Sequence, residues 1–140
     1  MAAVEPLQIV PGAGARGQSL RWRAFGLAGD LELDFRSGDR PALVTRLLAG
    51  CLPVLPRESA EETAWHLTLA GRIGGLAAIV AHTFEVTALT VRLDCPRCAQ
   101  PFEIELPLPE LVQHAQAAEQ EPVVAADLGA DRHLALRRPT

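Results

Sequence analysis

The chain has 140 residues, 49% of them hydrophobic, and a formal charge of −4. This length fits one domain whose core needs no disulfides, and the apolar content excludes a wholly disordered chain, which combines low hydrophobicity with high net charge. The acidic balance argues against a nucleic-acid module, because phosphate binding requires clustered positive charge.

Residues 1–17 are punctuated by Pro and Gly and read as a flexible arm, with a short strand only at Leu7–Val10; the domain then occupies residues 18–140. From Ser19 to Phe35 apolar and polar residues alternate, with Leu20, Trp22 and Ala24 before a Gly26–Asp30 turn and Leu31, Leu33 and Phe35 after it. That period of two predicts an N-terminal β-hairpin. Pro41 suits the first turn of a helix capped by Asp39 or Arg40, and Leu43, Val44, Leu47, Leu48 and Cys51 give that helix one apolar face. Ser59-x-x-Glu62 has the form of a capping box and predicts a second helix start. Gly71, Gly74 and Gly75 each cost about 1 kcal/mol in a helix interior, so the stretch to Ala81 divides into two helices near Leu69–Gly71, the second burying Ile73, Leu76, Ala77 and Val80.

Val86–Asp94 is β-branched and alternating, and Phe102, Ile104 and Leu106 alternate with Glu103 and Glu105. The two runs predict a hairpin whose apolar face, Leu89, Val91, Leu93, Phe102 and Ile104, supports folding. Pro109–Ala118 follows as a short helix, Glu119–Pro122 as a linker, and His133–Arg137 as a last strand. The fold class is therefore α+β: a small domain with an N-terminal hairpin, two or three short helices and a C-terminal hairpin bearing a Cys-x-x-Cys knuckle.

Cys95-Pro-Arg-Cys98 sits in the turn between the two best strands. Two cysteines at that spacing form half of a tetrahedral zinc site. The nearest candidates for two more ligands, His82, His114, His133 and Cys51, have no recognisable spacing. Three readings stand side by side: a knuckle-shaped turn without metal, a structural zinc on Cys95 and Cys98 completed by histidines or by a second chain, and a redox pair. The last fits least, because a reactive cysteine of that kind opens a helix and Pro101 here opens a strand. Gly12-Ala-Gly14-Ala-Arg-Gly17 matches a dinucleotide fingerprint in its letters but lacks the strand before and the helix after that place a pyrophosphate. No nucleophile motif occurs, so no catalytic residue is assigned and no enzyme is expected. Arg132, Arg137 and Arg138 read as charges protecting an edge strand. The most apolar window, Leu67–Val80, is interrupted by Arg72 and too short to span a bilayer. The N-terminus lacks the basic and apolar regions of a signal peptide, and three cysteines suit reduced thiols in a cytoplasm.

The order of features is informative in its own right. Arg40-Pro-Ala-Leu-Val-Thr-Arg-Leu-Leu-Ala49 follows a polar turn. Leu67-Thr-Leu-Ala-Gly-Arg72 precedes a helix ending in His82-Thr-Phe84. The cysteine hairpin runs into Phe102-Glu-Ile-Glu-Leu106, and the chain closes on Leu136-Arg-Arg-Pro-Thr140. Over residues 36–140 this order resembles the T4-type baseplate hub assembly chaperone family of contractile phage tails and phage-like injection systems. The resemblance implies a non-catalytic, chaperone-like protein that binds other baseplate hub proteins during assembly and requires no cofactor. Cys98-Ala-Gln-Pro-Phe-Glu103 is also similar to the bacterial ribosomal-RNA accumulation family, which implies a ribosome-biogenesis accessory role as the alternative; a zinc-knuckle interaction module overlaps with both.

Overall fold

A helix starts where its first orphan N–H groups find acceptors, and Asp39 supplies one. Its carboxylate accepts from the Ala42 N–H at 3.1 Å, and Pro41 occupies the first turn of helix α1, Arg40–Gly50. The computed structural model describes residues 8–9, 20–53, 55–121, 123–127, 129 and 132–137. Before α1, strand β1 (Gln8–Ile9) pairs antiparallel with β2 (Leu20–Arg21), and a 3-10 turn covers Ala28–Glu32. After it come α2 (Arg57–Trp65), α3 (Leu69–Phe84), the antiparallel hairpin β3–β4 (Ala88–Asp94 and Pro101–Pro107), α4 (Leu108–Gln120) and a second hairpin β5–β6 (Val123–Asp127 and His133–Arg137). The fold is α+β, with four α-helices and three two-stranded sheets among the described residues.

α3 is the centre of the molecule. It packs most extensively against α4, and α1 packs against α2 and α3. Its buried residues are nearly all small: Gly71, Gly74, Gly75, Ala77, Ala78 and Ala81, with Ile79 the exception. Small side chains let neighbouring backbones approach closely. On α4 the buried set Leu108, Val112, Ala115 and Ala118 recurs at helical spacing. Leu48, Leu67, Leu108, Val112 and Cys51 are fully enclosed, and each large aliphatic chain among them contributes about 1.5–3 kcal/mol by leaving water.

Residues 20–35 form a strap across this helical core rather than the predicted N-terminal hairpin. The first half of the alternation is real, since Leu20 and Trp22 are buried. The second half is not a strand, and Leu31 and Phe35 are exposed. The Asp30 carboxylate accepts from the Gly26 and Leu27 N–H groups, both at 2.9 Å. Those bonds tighten 28–32 into a helical turn, and Gly26 at φ 123° admits the change of direction. The strap lies along one stripe of α3, where Gly75, Ile79 and Thr83 recur every four residues. A Cβ on Gly75 would lie 2.8 Å from Leu48 Cδ2 and 2.9 Å from Trp22 Cζ2. Thr83 Oγ1 accepts from the Phe25 N–H at 2.9 Å while donating to Ile79 O at 2.6 Å. Phe25 also meets Phe35 edge-on, centroids 5.9 Å apart.

Other expectations need correction. α2 starts at Arg57 after Pro56, without a side-chain cap, so Ser59 lies inside the helix. The expected division falls at His66–Thr68, ahead of the glycines, because the Thr68 hydroxyl accepts from the Gly71 N–H at 3.0 Å and caps α3 there. Ile73 is 46% exposed, so the buried face of α3 is the one carrying the glycines. The cysteine hairpin is not C-terminal: α4 and the β5–β6 hairpin follow it, and Val123–Asp127 forms a strand where none was predicted. Four α-helices replace the two or three of the predicted class. Among the described residues no helix is long and apolar enough to cross a membrane.

Replacing Gly75 with Ala gains about 1 kcal/mol of helix propensity but overpacks Leu48 and Trp22, which costs about 1–3 kcal/mol. Urea unfolding is expected to show Gly75→Ala as a net destabilisation of about 1 kcal/mol, with Gly29→Ala, which meets open space, within about 0.5 kcal/mol of the parent. Leu48→Ala is expected to cost about 2–5 kcal/mol; Ile73→Ala, on the exposed side, stays below about 1 kcal/mol.

Candidate functional site

The residues singled out by spacing, Cys95 and Cys98, stand at the tip of the β3–β4 hairpin. The turn is closed by Cys95 N–H to Gln100 O at 2.9 Å and Ala99 N–H to Cys95 O at 2.8 Å. Ala99 takes the left-handed conformation, φ 54°, that returns the chain to β4. The neighbouring N–H groups of Arg97 and Cys98, with the Cys98 thiol beside them, hold the Cys95 thiol below its ordinary pKa. Cys98 and residues 96–100 are exposed, and Cys95 is half-buried.

Behind the tip the register is regular: Leu89 faces Leu106, Val91 faces Ile104 and Leu93 faces Phe102. The six side chains share one face of the ribbon, while Thr90, Arg92, Glu103 and Glu105 occupy the other. The apolar face was expected to support folding, but it is largely uncovered. Leu89, Leu93 and Phe102 are 37%, 40% and 44% exposed, and the buried core lies among the helices and the strap. The β5–β6 hairpin repeats the pattern, with Val124 opposite Leu136 and Ala126 opposite Leu134; Val124, Leu134 and Leu136 are all exposed.

The candidate ligands beyond the knuckle do not gather around it. Cys51 is fully buried at the end of α1, and burial pushes its thiol up to about 11. His82 lies in the last turn of α3, His114 is exposed on α4, and His133 sits 3.9 Å from Asp127 on the β5–β6 hairpin. Among the described residues no group of three or more His, Cys, Asp or Glu side chains is placed to hold an ion. Arg132 and Arg137 are exposed. The glycine fingerprint at 12–17 and Arg138 lie outside the described residues.

A charged site absent from the sequence reading lies under the strap. Arg23 donates to Asp30 through both terminal nitrogens, at 2.8 and 2.6 Å, and its Nη2 also donates to Gly50 O at 2.6 Å, a carbonyl left open by the end of α1. The pair borders a cleft of about 360 Å³ lined also by Arg46, Leu52, Leu55 and Arg57. The Arg23 hydrogen bonds hold the Asp30 carboxyl down at about 2 against the upward push of burial, and the Gly26 and Leu27 N–H groups add to that. A carboxylate so engaged, with Oδ2 accepting three hydrogen bonds, stays ionised at neutral pH and is a poor proton acceptor. Its work is mechanical: it ties the strap to α1. Comparison of the chain with protein families, characterised proteins and solved structures finds no match.

Because Asp30 is more acidic folded than its ordinary 3.8, its contribution of about 2 kcal/mol is complete above about pH 5 and is lost as pH falls through about 2. Asp30→Asn is expected to cost about 2–4 kcal/mol at neutral pH, since Arg23 loses its partner. Denaturant titrations of this variant between pH 5 and 2 are expected to show a stability loss smaller than the parent's by about 2 kcal/mol.

Proposed function

We propose that the chain is a non-catalytic, protein-binding assembly factor, acting in the cytoplasm on other hub proteins of a phage-like contractile baseplate. The observation that carries the protein-binding part is the uncovered apolar face of the β3–β4 hairpin, with Leu89, Leu93 and Phe102 open to solvent. A lone two-stranded hairpin is marginal in water, and a contiguous apolar face rimmed by charge is the ordinary mark of an interaction surface. Among the described residues each strand also has an unpaired edge, so a partner can add a strand as well as cover the face. The baseplate part rests on the order of motifs over residues 36–140. One of them acquires a physical role here: Arg72 donates to Thr45 Oγ1 at 2.9 Å and Pro41 O at 3.3 Å and stacks on the Trp65 ring at 5.5 Å, joining the starts of α1 and α3 to the end of α2.

The second reading, a ribosome-biogenesis accessory protein, is favoured by Pro101-Phe-Glu opening strand β4 directly after the cysteine turn. Chromosomal neighbours separate the two: tail-sheath, tube and spike genes support the first, a ribosomal-protein gene the second.

Co-expression with neighbouring hub proteins is expected to yield a soluble complex. The double variant Leu93→Glu with Phe102→Glu is expected to keep the parent's helical circular dichroism and to bind about ten-fold or more weakly. Failure of the parent chain to bind any hub protein, with normal tail assembly in its absence, rejects the proposal.

A further inference from the structure

The knuckle has the ligand spacing of half a zinc site, and among the described residues no further His, Cys, Asp or Glu stands with it. A structural zinc takes four ligands in a tetrahedron, and two cysteines in a tight turn supply one edge of it. The turn fixes that edge: Cys95 N–H donates to Gln100 O at 2.9 Å and Ala99 N–H to Cys95 O at 2.8 Å, so both cysteines stand at one hairpin tip. The third cysteine is enclosed in the core. The tip is also open, with residues 96–100 exposed, so a large body can reach both sulfurs.

We infer that the Cys95–Cys98 pairs of two chains bind one zinc ion between them, forming a four-thiolate site at the apposed tips of two β3–β4 hairpins. A two-fold arrangement completes the tetrahedron with no ligand beyond those present. Binding exchanges four thiol protons for one Zn²⁺ and leaves the cluster with two negative charges. Arg97, inside each turn, brings one positive charge per chain and so two to the pair. No oxidation or reduction occurs. Folding of each chain does not depend on the ion, because the enclosed core lies in the helices and strap, away from the hairpin tip. The ion governs association instead. This holds whether or not the partner of the apolar face is a baseplate protein, and its test involves no such partner.

The test titrates the full-length reduced chain, purified without added metal, with zinc alone. It follows mass by sedimentation and metal content by elemental analysis. The expected result is a doubling of mass, saturating at one zinc per two chains and reversed by a chelator, with helical circular dichroism unchanged throughout. Cobalt(II) in place of zinc is expected to give the intense visible bands of a tetrahedral thiolate site at the same stoichiometry. Cys95→Ser with Cys98→Ser is expected to remain folded, monomeric and metal-free. One zinc per chain in a monomer, no retained zinc, or zinc-dependent dimers of the double serine variant would each overturn the inference.

Discussion

The close seating of the strap and α1 on α3 depends on a bare Cα. At Gly75 the Trp22 indole and the Leu48 side chain come closer to the α3 backbone than any other residue type would permit. Because that approach is allowed, the strap and α1 can both sit on α3. The buried Trp22 Nε1 has no hydrogen-bond partner among the described residues, a desolvation cost of about 1–3 kcal/mol. The position is therefore held by packing and not by polar bonding.

The Arg23–Asp30 pair secures the same arrangement from the polar side. Arg23 reaches from the strap to the last carbonyls of α1, and its own N–H donates to Cys51 O at 3.0 Å. Asp30 then folds the strap back with two backbone bonds. Two α1 neighbours, Gly50 and Cys51, are thus bonded by one residue of the strap. The burial of Trp22 one residue earlier in sequence is registered against α3 in consequence.

Local features were legible in the sequence, and features made by distant contacts were not. Pro41, with a cap at Asp39 or Arg40, marks the start of α1 because capping uses bonds within one turn. The two strands of the cysteine hairpin and the apolar face they share follow from alternation and a short connecting turn. The strap was misread because Leu20, Trp22, Leu31, Leu33 and Phe35 alternate as a hairpin would, while Asp30's bond to Arg23, which decides the matter, leaves no periodic trace. Periodicity cannot place Ile73, because α3 is apolar nearly all round and its period selects no face. Its glycines count against a helix by propensity and are required by a contact with residues far away in sequence. Val123–Asp127 escaped notice because two alanines in a run of five carry little strand signal. At the candidate site the cysteine spacing was readable; that the apolar ladder behind it would stay uncovered was not, since covering depends on where the helices go.

The hairpins join the body at few points. Leu108 N–H donates to Thr87 O at 2.9 Å where β4 passes into α4, and β5–β6 stands largely apart from the helices among the described residues. Stability is consequently divided along the chain. Amide protons in the buried parts of α1, α3 and α4 are expected to exchange through openings that disrupt the helical core, whereas those of the two ribbons exchange through local openings that leave the helices intact. In deuterium the molecule behaves as a slow helical block carrying two fast appendages, and a partner that covers a ribbon converts its amides from the second class towards the first.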